Sequence, residues 1–271
     1  MDIRLIAVDL DGTALNSKKE ISPRTLAAIR SAVKSGRIIV PATGRSLNSM
    51  PKELLELHGL PYLILNNGTV VMSMPGKEVI FSHAFKEDMA LSLLEQFKTF
   101  HCMMLAARPE RGMLDQSIYG IKDERLQNRF MEIKRNWNPV IMDLDKAIRD
   151  DPSWVNFFTA VFSDEGEWQR MLELLKNREE LSIACSAWGC IDIMPSGIHK
   201  GSALYFVAEK LSLEMSQVMA IGDHLNDLEM IRNAGYSVAM GNSVDTIKEI
   251  ADRITLSCDE DGAALAIEAI L

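Results

Sequence analysis

The chain has 271 residues, of which 47% are hydrophobic and 25% are charged, a composition typical of globular proteins with a substantial core. Its 38 acidic and 29 basic side chains give a formal net charge of −9, which argues against broad binding of nucleic acid or of an anionic membrane. An acidic residue at position 2 and apolar runs broken by proline, asparagine and glycine indicate neither a secretion signal nor a membrane span.

The first third of the chain alternates predicted strands and helices. Ser22 and Pro23 suit the cap and first turn of a helix that Gly36 ends. A second helix is predicted over about 48–58, and the strands are RLIAV, RIIV and YLIL. Buried strands that alternate with helices predict a parallel sheet covered by helices on both faces.

The pattern changes near residue 70, where two strand-like runs flank Pro75 and Gly76 as in an antiparallel hairpin. Helices are predicted at 87–100 and 167–176, among short strand-like pieces. The stretch 83–190 is therefore predicted to be a separate α+β unit.

The alternation then resumes, with helices predicted around Leu204 and Val207, after Gly222, near 245–251 and near 261–270. The strands between them are VMAI and YSVAM. We predict an α/β protein with a doubly wound parallel-sheet core formed by 1–82 and 191–271, and an inserted α+β domain at 83–190.

Polar residues follow the predicted strands at the points where they end. Because parallel strands end at one edge of a sheet, where ligands bind, these residues are expected to lie close together. Lys200 lies just before a helix and joins this set. The residues that follow strands are Asp9, Leu10, Asp11, Gly12 and Thr13, then Thr43, Gly44 and Arg45, then Asn66 and Asn67, and finally Asp223, Asn226 and Asp227.

Oxygen ligands without a cluster of cysteine and histidine favour a hard cation, and Mg²⁺ fits best. Asp9 and Asp223 are the candidate carboxylate ligands. Residues suited to bind the remaining oxygens of a phosphate are Thr43, the Gly44 amide, Asn226 and Lys200. The pattern predicts phosphoryl transfer, which needs positioning and stabilisation of charge.

Asp9 ends its strand and is the candidate nucleophile, forming an aspartyl-phosphate. Asp11 lies two residues further on and is the candidate general acid and base, serving first the leaving alcohol and then water. Gly12 allows a sharp turn, and Lys200 supplies positive charge.

These motifs resemble those of the haloacid-dehalogenase (HAD) superfamily of phosphatases. DLDGT resembles the first motif, ATGR the second, Lys200 the third and GDHLND the fourth. The run from Gly222 to Met230 is similar to the GDxxNDxxM form of the Cof-type subfamily. The resemblance covers about 1–82 and 191–271, and the inserted unit at 83–190 matches the family's cap domain in position and size.

The resemblance implies Mg²⁺ bound by Asp9, the Asp11 backbone carbonyl and Asp223. It also implies that the backbone amides of Leu10 and Asp11 bind phosphate, together with the side chains already named. Asp227 would contact the site indirectly, through a neighbouring group or a water. The roles of His199 and His224 stay unassigned.

The expected function is a Mg²⁺-dependent phosphatase of small phosphorylated metabolites, with sugar phosphates first and phosphorylated cofactors such as pyridoxal phosphate or flavin mononucleotide next. One alternative is a phosphosugar mutase, and another is a receiver-like signalling module that holds a phospho-aspartate. Four cysteines without a CxxC pair predict a reduced, cytoplasmic protein. Arg45 is expected to bind substrate or pair with a core acid, and Asn67 to face substrate or only form a turn. The sequence does not set the oligomeric state.

Overall fold

The computed structural model describes residues 2–151 and 155–271, which form two compact units. One unit, called the core unit here, contains residues 2–43, Met50–Phe81 and His199–Leu271. The other, called the inserted unit, contains Gly44–Ser49 and Ser82–Ile198. Among the helices within those described ranges, none is long and apolar enough to cross a membrane.

The described residues form fourteen strands and ten α-helices. The strands are β1 Leu5–Val8, β2 Ile38–Pro41, β3 Tyr62–Leu65, β4 Val70–Ser73, β5 Glu78–Ser82, β6 Cys102–Ala107, β7 Gly112–Asp115, β8 Val140–Met142, β9 Phe157–Phe162, β10 Leu181–Ala184, β11 Cys190–Pro195, β12 Val218–Gly222, β13 Tyr236–Ala239 and β14 Arg253–Ile254. The helices are α1 Pro23–Lys34, α2 Lys52–Leu55, α3 Glu87–Phe97, α4 Glu124–Trp137, α5 Leu144–Asp150, α6 Glu165–Leu175, α7 Lys200–Lys210, α8 Leu228–Asn233, α9 Asp245–Ile250 and α10 Gly262–Glu268.

The core unit is built on a parallel sheet with the strand order β14-β13-β12-β1-β2. From β1 the chain continues outward to β2, whereas β12 leads to β13 and β14 on the other side. A parallel bridge between Ala42 and Ile64 connects β2 to β3, and β3 pairs with β4 in antiparallel orientation. The predicted doubly wound α/β fold is confirmed.

Alternate residues along the strands of this sheet contribute to the hydrophobic core of the core unit. Leu5 and Ala7 of β1 belong to one buried cluster with Leu204 and Val207 of α7, since side chains two apart on a strand share a face. Helices α1 and α10 pack against each other, and two hydrogen bonds join Arg24 and Glu268 across them.

The inserted unit has one six-stranded sheet with the order β10-β11-β9-β6-β7-β8. Its hydrophobic core on one face includes Phe97 of α3, Phe158 of β9 and Met171 of α6. Val161, also in β9, belongs to a second cluster that includes Leu126 of α4. Helices therefore pack against both faces of this sheet.

The helix predicted over about 48–58 is much shorter in the structure. Only α2 is α-helical, after a single 3₁₀ turn at Leu47–Ser49. Pro51 has no N–H to donate and disfavours a helical conformation in the residue before it, so one continuous helix cannot form here. Strands β7 and β14 and helices α4 and α5 had not been predicted.

The limits of the two units differ from the predicted domain limits at Ser82, over Gly44–Ser49 and after residue 190. The backbone amides of Leu47 and Asn48 donate to the carbonyls of Pro109 and Glu110, at 3.1 and 3.0 Å, so the segment Gly44–Ser49 groups with the inserted unit. Strand β11 pairs with both β9 and β10. The inserted unit therefore extends to Ile198 rather than ending at residue 190.

We expect Ser22→Ala to lower the free energy of unfolding of the core unit by about 1 kcal/mol, the usual contribution of an N-cap side chain. The Ser22 hydroxyl accepts from the Thr25 amide at 3.0 Å and donates to Asp261 at 2.5 Å. Urea unfolding followed by circular dichroism measures the change. Ser31→Ala, an exposed position in the same helix, is the control and should be neutral or slightly stabilising. Equal stabilities of the two variants would contradict the assigned cap.

Candidate active site

The candidate site lies at the carboxyl ends of β1 and β12, where the two halves of the sheet diverge. These strands are neighbours, with Val8 opposite Ile221. The Asp9 amide continues the pairing by donating to the Ile221 carbonyl at 3.0 Å. Asp9 and Asp223 thus follow adjacent strands, at the position where open α/β sheets bind ligands.

Lys200 connects the two loops by its side chain. Its Nζ lies 2.6 Å from Asp9 Oδ1 and 2.7 Å from Asp227 Oδ1, and the side chain is fully buried. Burial lowers the pKa of Lys200, but Asp227 and Asp9 raise it by more, so its net shift is upward. The ammonium therefore stays protonated between two carboxylates.

Asp227 uses both of its carboxylate oxygens within the protein. Oδ1 accepts from Lys200, and Oδ2 accepts from the amides of Asp223 and His224 at 2.9 and 3.2 Å. A side chain at Gly222 would place its Cβ 2.6 Å from Asp227 Cγ, so only glycine allows this approach. Asp227 holds Lys200 and the loop after β12 in place.

The carboxylates of Asp9, Asp223 and Asp227 each place an oxygen within 4.8 Å of the others. Burial and then Asp227 raise the pKa of Asp9 to about 7, although Lys200 opposes the shift. Burial and then Asp9 raise the pKa of Asp223 to about 8. Three buried carboxylates beside a single ammonium leave an excess of negative charge, and an oxygen-only donor set fits a hard divalent cation.

The loop after β1 turns at Gly12, whose φ of +89° is in the left-handed region. A Cβ at this position would lie 2.2 Å from Asp223 Oδ2. Thr13 Oγ1 donates to Asp223 Oδ1 at 3.4 Å. Asp11 lies nearer the surface, with one oxygen 3.1 Å from Lys19 Nζ. The glycine thus lets the loop approach the carboxylate of the neighbouring loop.

Thr43 is buried and follows β2 at the same edge of the sheet. Its amide donates to the Ile64 carbonyl at 2.9 Å, and its carbonyl accepts from the Asn67 amide at 3.0 Å. Asn226 Nδ2 donates to Asn67 Oδ1 at 3.1 Å. Asn67 therefore contacts a predicted phosphate-binding residue and does more than form a turn.

Two predicted positions, Gly44 and Arg45, group with the inserted unit rather than with the strand that precedes them. The Arg45 side chain is buried and donates to the backbone carbonyls of Ser49 and Asn136 at 2.7 and 3.3 Å. These bonds hold the guanidinium against backbone carbonyls, and both roles of Arg45, binding substrate and pairing with an acid, stay predictions.

Two histidines flank the motifs, and His199 caps a helix with its side chain. His199 Nδ1 accepts from the Ser202 amide at 3.0 Å and so caps α7, which begins at Lys200. Burial lowers the pKa of His199, which favours the neutral imidazole that accepts this bond. The His224 amide donates to Asp227, within the turn after β12.

Asn242 also contacts the site, and the sequence did not predict this. Its side chain donates to the Gly12 carbonyl at 2.8 Å and to Asp223 Oδ2 at 3.2 Å. The residue lies in the turn after β13, and an asparagine in a turn carries no signal of such partners.

A doubly wound sheet with acidic loops and a buried lysine at its switch point is the arrangement expected of a haloacid-dehalogenase-type hydrolase. The chain belongs to the haloacid dehalogenase-like hydrolases, because the model of this family matches residues 6–267.

Curated relatives and a solved structure agree with this assignment. The chain is 34% identical over 268 residues to the 5-amino-6-(5-phospho-D-ribitylamino)uracil phosphatase YcsE of Bacillus subtilis, covering 98% of this chain and 95% of the relative. It is 26% identical to the HMP-PP phosphatase of Serratia proteamaculans, covering 96% and 93%. A haloacid dehalogenase-like hydrolase from B. subtilis superposes with a TM-score of 0.86 at 25% identity, over 99% and 100% of the two chains.

The family and its named relatives establish the type of enzyme. The protein is a phosphoric monoester hydrolase of the HAD superfamily and the Cof type. Phosphatases of this superfamily generally use a divalent metal, and the buried aspartate cluster is suited to hold one.

We expect the metal-free protein to lose stability as the pH rises from 5 to 8. The folded-state pKa values of Asp9 and Asp223 lie near 7 and 8, above the values of about 4 in the unfolded chain. Their contribution is fully present below pH 4 and is lost as the pH rises through the folded-state values. Thermal unfolding in EDTA measures the change. Between pH 5 and pH 8 the Tm of wild type should fall by at least about 2 °C more than the Tm of the double variant Asp9→Asn/Asp223→Asn.

The control for this experiment is Asp88→Asn/Asp150→Asn, which removes two exposed carboxylates of the inserted unit. This control should follow the wild-type pH dependence. Identical pH profiles for wild type and for Asp9→Asn/Asp223→Asn would refute the assigned electrostatic strain.

We expect Gly12→Ala to reduce phosphatase activity at least about tenfold, because its Cβ displaces the Asp223 carboxylate. Gly36→Ala is the matched control, since Gly36 has a φ of +85° and no atom within 4 Å of the added Cβ. Both variants should lose about 1–2 kcal/mol of stability from the left-handed backbone. Phosphate release and Tm separate the two effects, and equal activities of the two variants would contradict the steric argument.

Proposed function

We propose that the protein is a Mg²⁺-dependent phosphatase that hydrolyses small phosphorylated metabolites through an aspartyl-phosphate on Asp9. The observation that carries the proposal is the contact between Asp9 and the buried ammonium of Lys200, 2.6 Å apart at the end of β1. This contact holds one carboxylate oxygen, and it places positive charge where a phosphate dianion would approach.

In the first half-reaction, a carboxylate oxygen of Asp9 attacks phosphorus and the bond from phosphorus to the alcohol oxygen breaks. The leaving oxygen takes a proton from Asp11. Asp11 lies two residues after the nucleophile, in the loop that Gly12 turns. In the structure Asp11 pairs with Lys19, so this ion pair opens when Asp11 carries its proton.

In the second half-reaction, water attacks phosphorus of the aspartyl-phosphate. Asp11, now a carboxylate, takes a proton from that water. The bond between phosphorus and the Asp9 oxygen breaks, which releases inorganic phosphate and restores the free carboxylate. Asp11 ends the cycle protonated and ready for the next substrate.

The non-reacting phosphate oxygens are proposed to bind Lys200, Thr43 and Asn226, with the backbone amides of Leu10, Asp11 and Gly44. Lys200 has three ammonium protons, of which two are directed at Asp9 and Asp227. The third is suited to a phosphate oxygen. Asn226 is oriented by its bond to Asn67, and Thr43 by the backbone bonds on either side of it.

Mg²⁺ is proposed to be held by Asp9, Asp223 and the backbone carbonyl of Asp11. Its support is the set of buried carboxylates whose oxygens lie within 4.8 Å and whose pKa values are raised. When bound, the ion would neutralise carboxylate and phosphate charge as the phosphoryl group transfers. Asp227 is proposed to act indirectly, because its oxygens already accept from Lys200 and from two amides.

The substrate is proposed to be a small organic phosphate, with sugar phosphates as the leading class. The relatives named above act on a phosphoribitylamino-uracil and on HMP-PP, so a phosphorylated pyrimidine carrying a ribityl chain belongs in the first set of compounds to test. The stretch 83–190 is proposed to serve as the cap that selects the substrate, and the cytoplasm is proposed as the location.

We expect Asp9→Asn to lower the rate of phosphate release from an aryl phosphate with Mg²⁺ by at least about three orders of magnitude, since an amide cannot act as the nucleophile. Asp150→Asn, at an exposed position of the inserted unit, is the matched control and should keep wild-type activity. Undiminished turnover by Asp9→Asn would refute the assigned nucleophile.

The same assay, run on a panel of metabolites, separates the alternatives. Phosphate release from sugar phosphates, pyridoxal phosphate, flavin mononucleotide or the ribityl compound identifies the substrate class. An isomerised sugar phosphate without free phosphate would indicate a mutase. A phospho-aspartate that persists for hours without turnover would indicate a signalling module.

A further inference from the structure

Asn242 joins the two acidic loops of the site by a single side-chain amide. Its Nδ2 donates to the Gly12 carbonyl at 2.8 Å and to Asp223 Oδ2 at 3.2 Å. Its Oδ1 accepts from the Cys258 amide at 2.8 Å. Because an N–H of the backbone can only donate, the Cys258 contact fixes which end of the amide is oxygen. The NH₂ group therefore points at the two acceptors.

The Asp223 carboxylate is held at both of its oxygens. Oδ1 accepts from Thr13 and Oδ2 from Asn242, so the plane of the carboxylate is fixed from two directions. Asp223 Oδ2 also lies close to the backbone of Gly12, which has no room for a Cβ. Two oxygen acceptors of adjacent loops thus meet here, and the Asn242 amide supplies the donor between them.

We propose that Asn242 is a positioning residue for the divalent cation, acting through Asp223 and through the loop that carries Asp9 and Asp11. A metal ligand binds well only when its lone pair is directed at the ion, and hydrogen bonds to the ligand set that direction. Without the amide, Asp223 Oδ2 and the Gly12 carbonyl would repel each other and move apart. This inference rests on the proposed function.

The test is Asn242→Ala, studied in the substrate-free protein. The rise of Tm with Mg²⁺ concentration gives the affinity for the ion without any need for turnover. We expect the variant to bind Mg²⁺ about tenfold more weakly than wild type. Phosphate release should need correspondingly more Mg²⁺, and raising the Mg²⁺ concentration should recover activity that the variant has lost.

Ser257→Ala is the matched control for a general loosening of the turn that supplies the Cys258 amide. The Ser257 hydroxyl donates to Glu260 at 2.6 Å, and within the described part of the chain neither residue bonds to Asp223 or Gly12. This variant should keep the Mg²⁺ affinity of wild type. If it weakens Mg²⁺ binding as much as Asn242→Ala does, the effect belongs to the turn and the proposal is overturned.

The wild-type arm separates this inference from the proposed function. If wild type binds Mg²⁺ and Asn242→Ala binds it equally well, Asn242 has no positioning role and the phosphatase mechanism stands. If the Tm and the activity of wild type do not respond to Mg²⁺, both proposals fall. Asn242→Ser also removes the amide donor and carries the same expectation, so it replaces the alanine variant if that protein does not fold.

Discussion

The site depends on one buried ammonium placed between two carboxylates. Lys200 begins a helix, Asp9 ends a strand and Asp227 lies in a turn, and the two contacts of 2.6 and 2.7 Å fix all three together. Removing the ammonium would leave two buried carboxylates side by side without a cation, which is strongly unfavourable. The arrangement still carries more negative than positive charge, and that imbalance is what makes the pocket suited to a cation.

Close approach of backbone segments keeps this cluster small. At Gly68 an added Cβ would lie 2.3 Å from the His199 carbonyl, so the turn after β3 lies directly against the start of α7. Gly12 and Gly222 allow similar contacts with Asp223 and Asp227. The His199 cap then orients the first turn of the helix. Short loops in contact with one another keep a site more rigid than long ones would.

Much of the site could be predicted from the sequence, because the geometry of a parallel sheet brings strand ends to one edge. Asp9, Thr43 and Asp223 follow β1, β2 and β12, and the structure places Lys200 beside Asp9. Asn242 could not be predicted, since its partners become visible only when the turn after β13 is placed. That the segment Gly44–Ser49 groups with the inserted unit could not be predicted either, because its partners are backbone carbonyls far along the chain.

The secondary structure shows the same division between local and distant causes. Helix α4 has apolar residues at helical spacing, and they lie together in one cluster: Leu126, Phe130, Ile133 and Trp137. This spacing favours a helix, but the many charged residues between them weaken the pattern in the sequence. Strand β14 has only two residues, which is too short to show the alternation of apolar and polar residues that indicates a strand. Its existence depends on pairing with β13.

The residues of the acidic cluster are far apart in the chain, so they are synthesised at different times. Asp9 and Lys200 are 191 residues apart, and β1 lies between β2 and β12 in the sheet. A growing chain therefore carries β1 with one edge unpaired until the last quarter emerges, whereas the inserted unit has most of its contacts within one continuous stretch and can form earlier. A chain released before Lys200 is made holds Asp9 without the ammonium beside it.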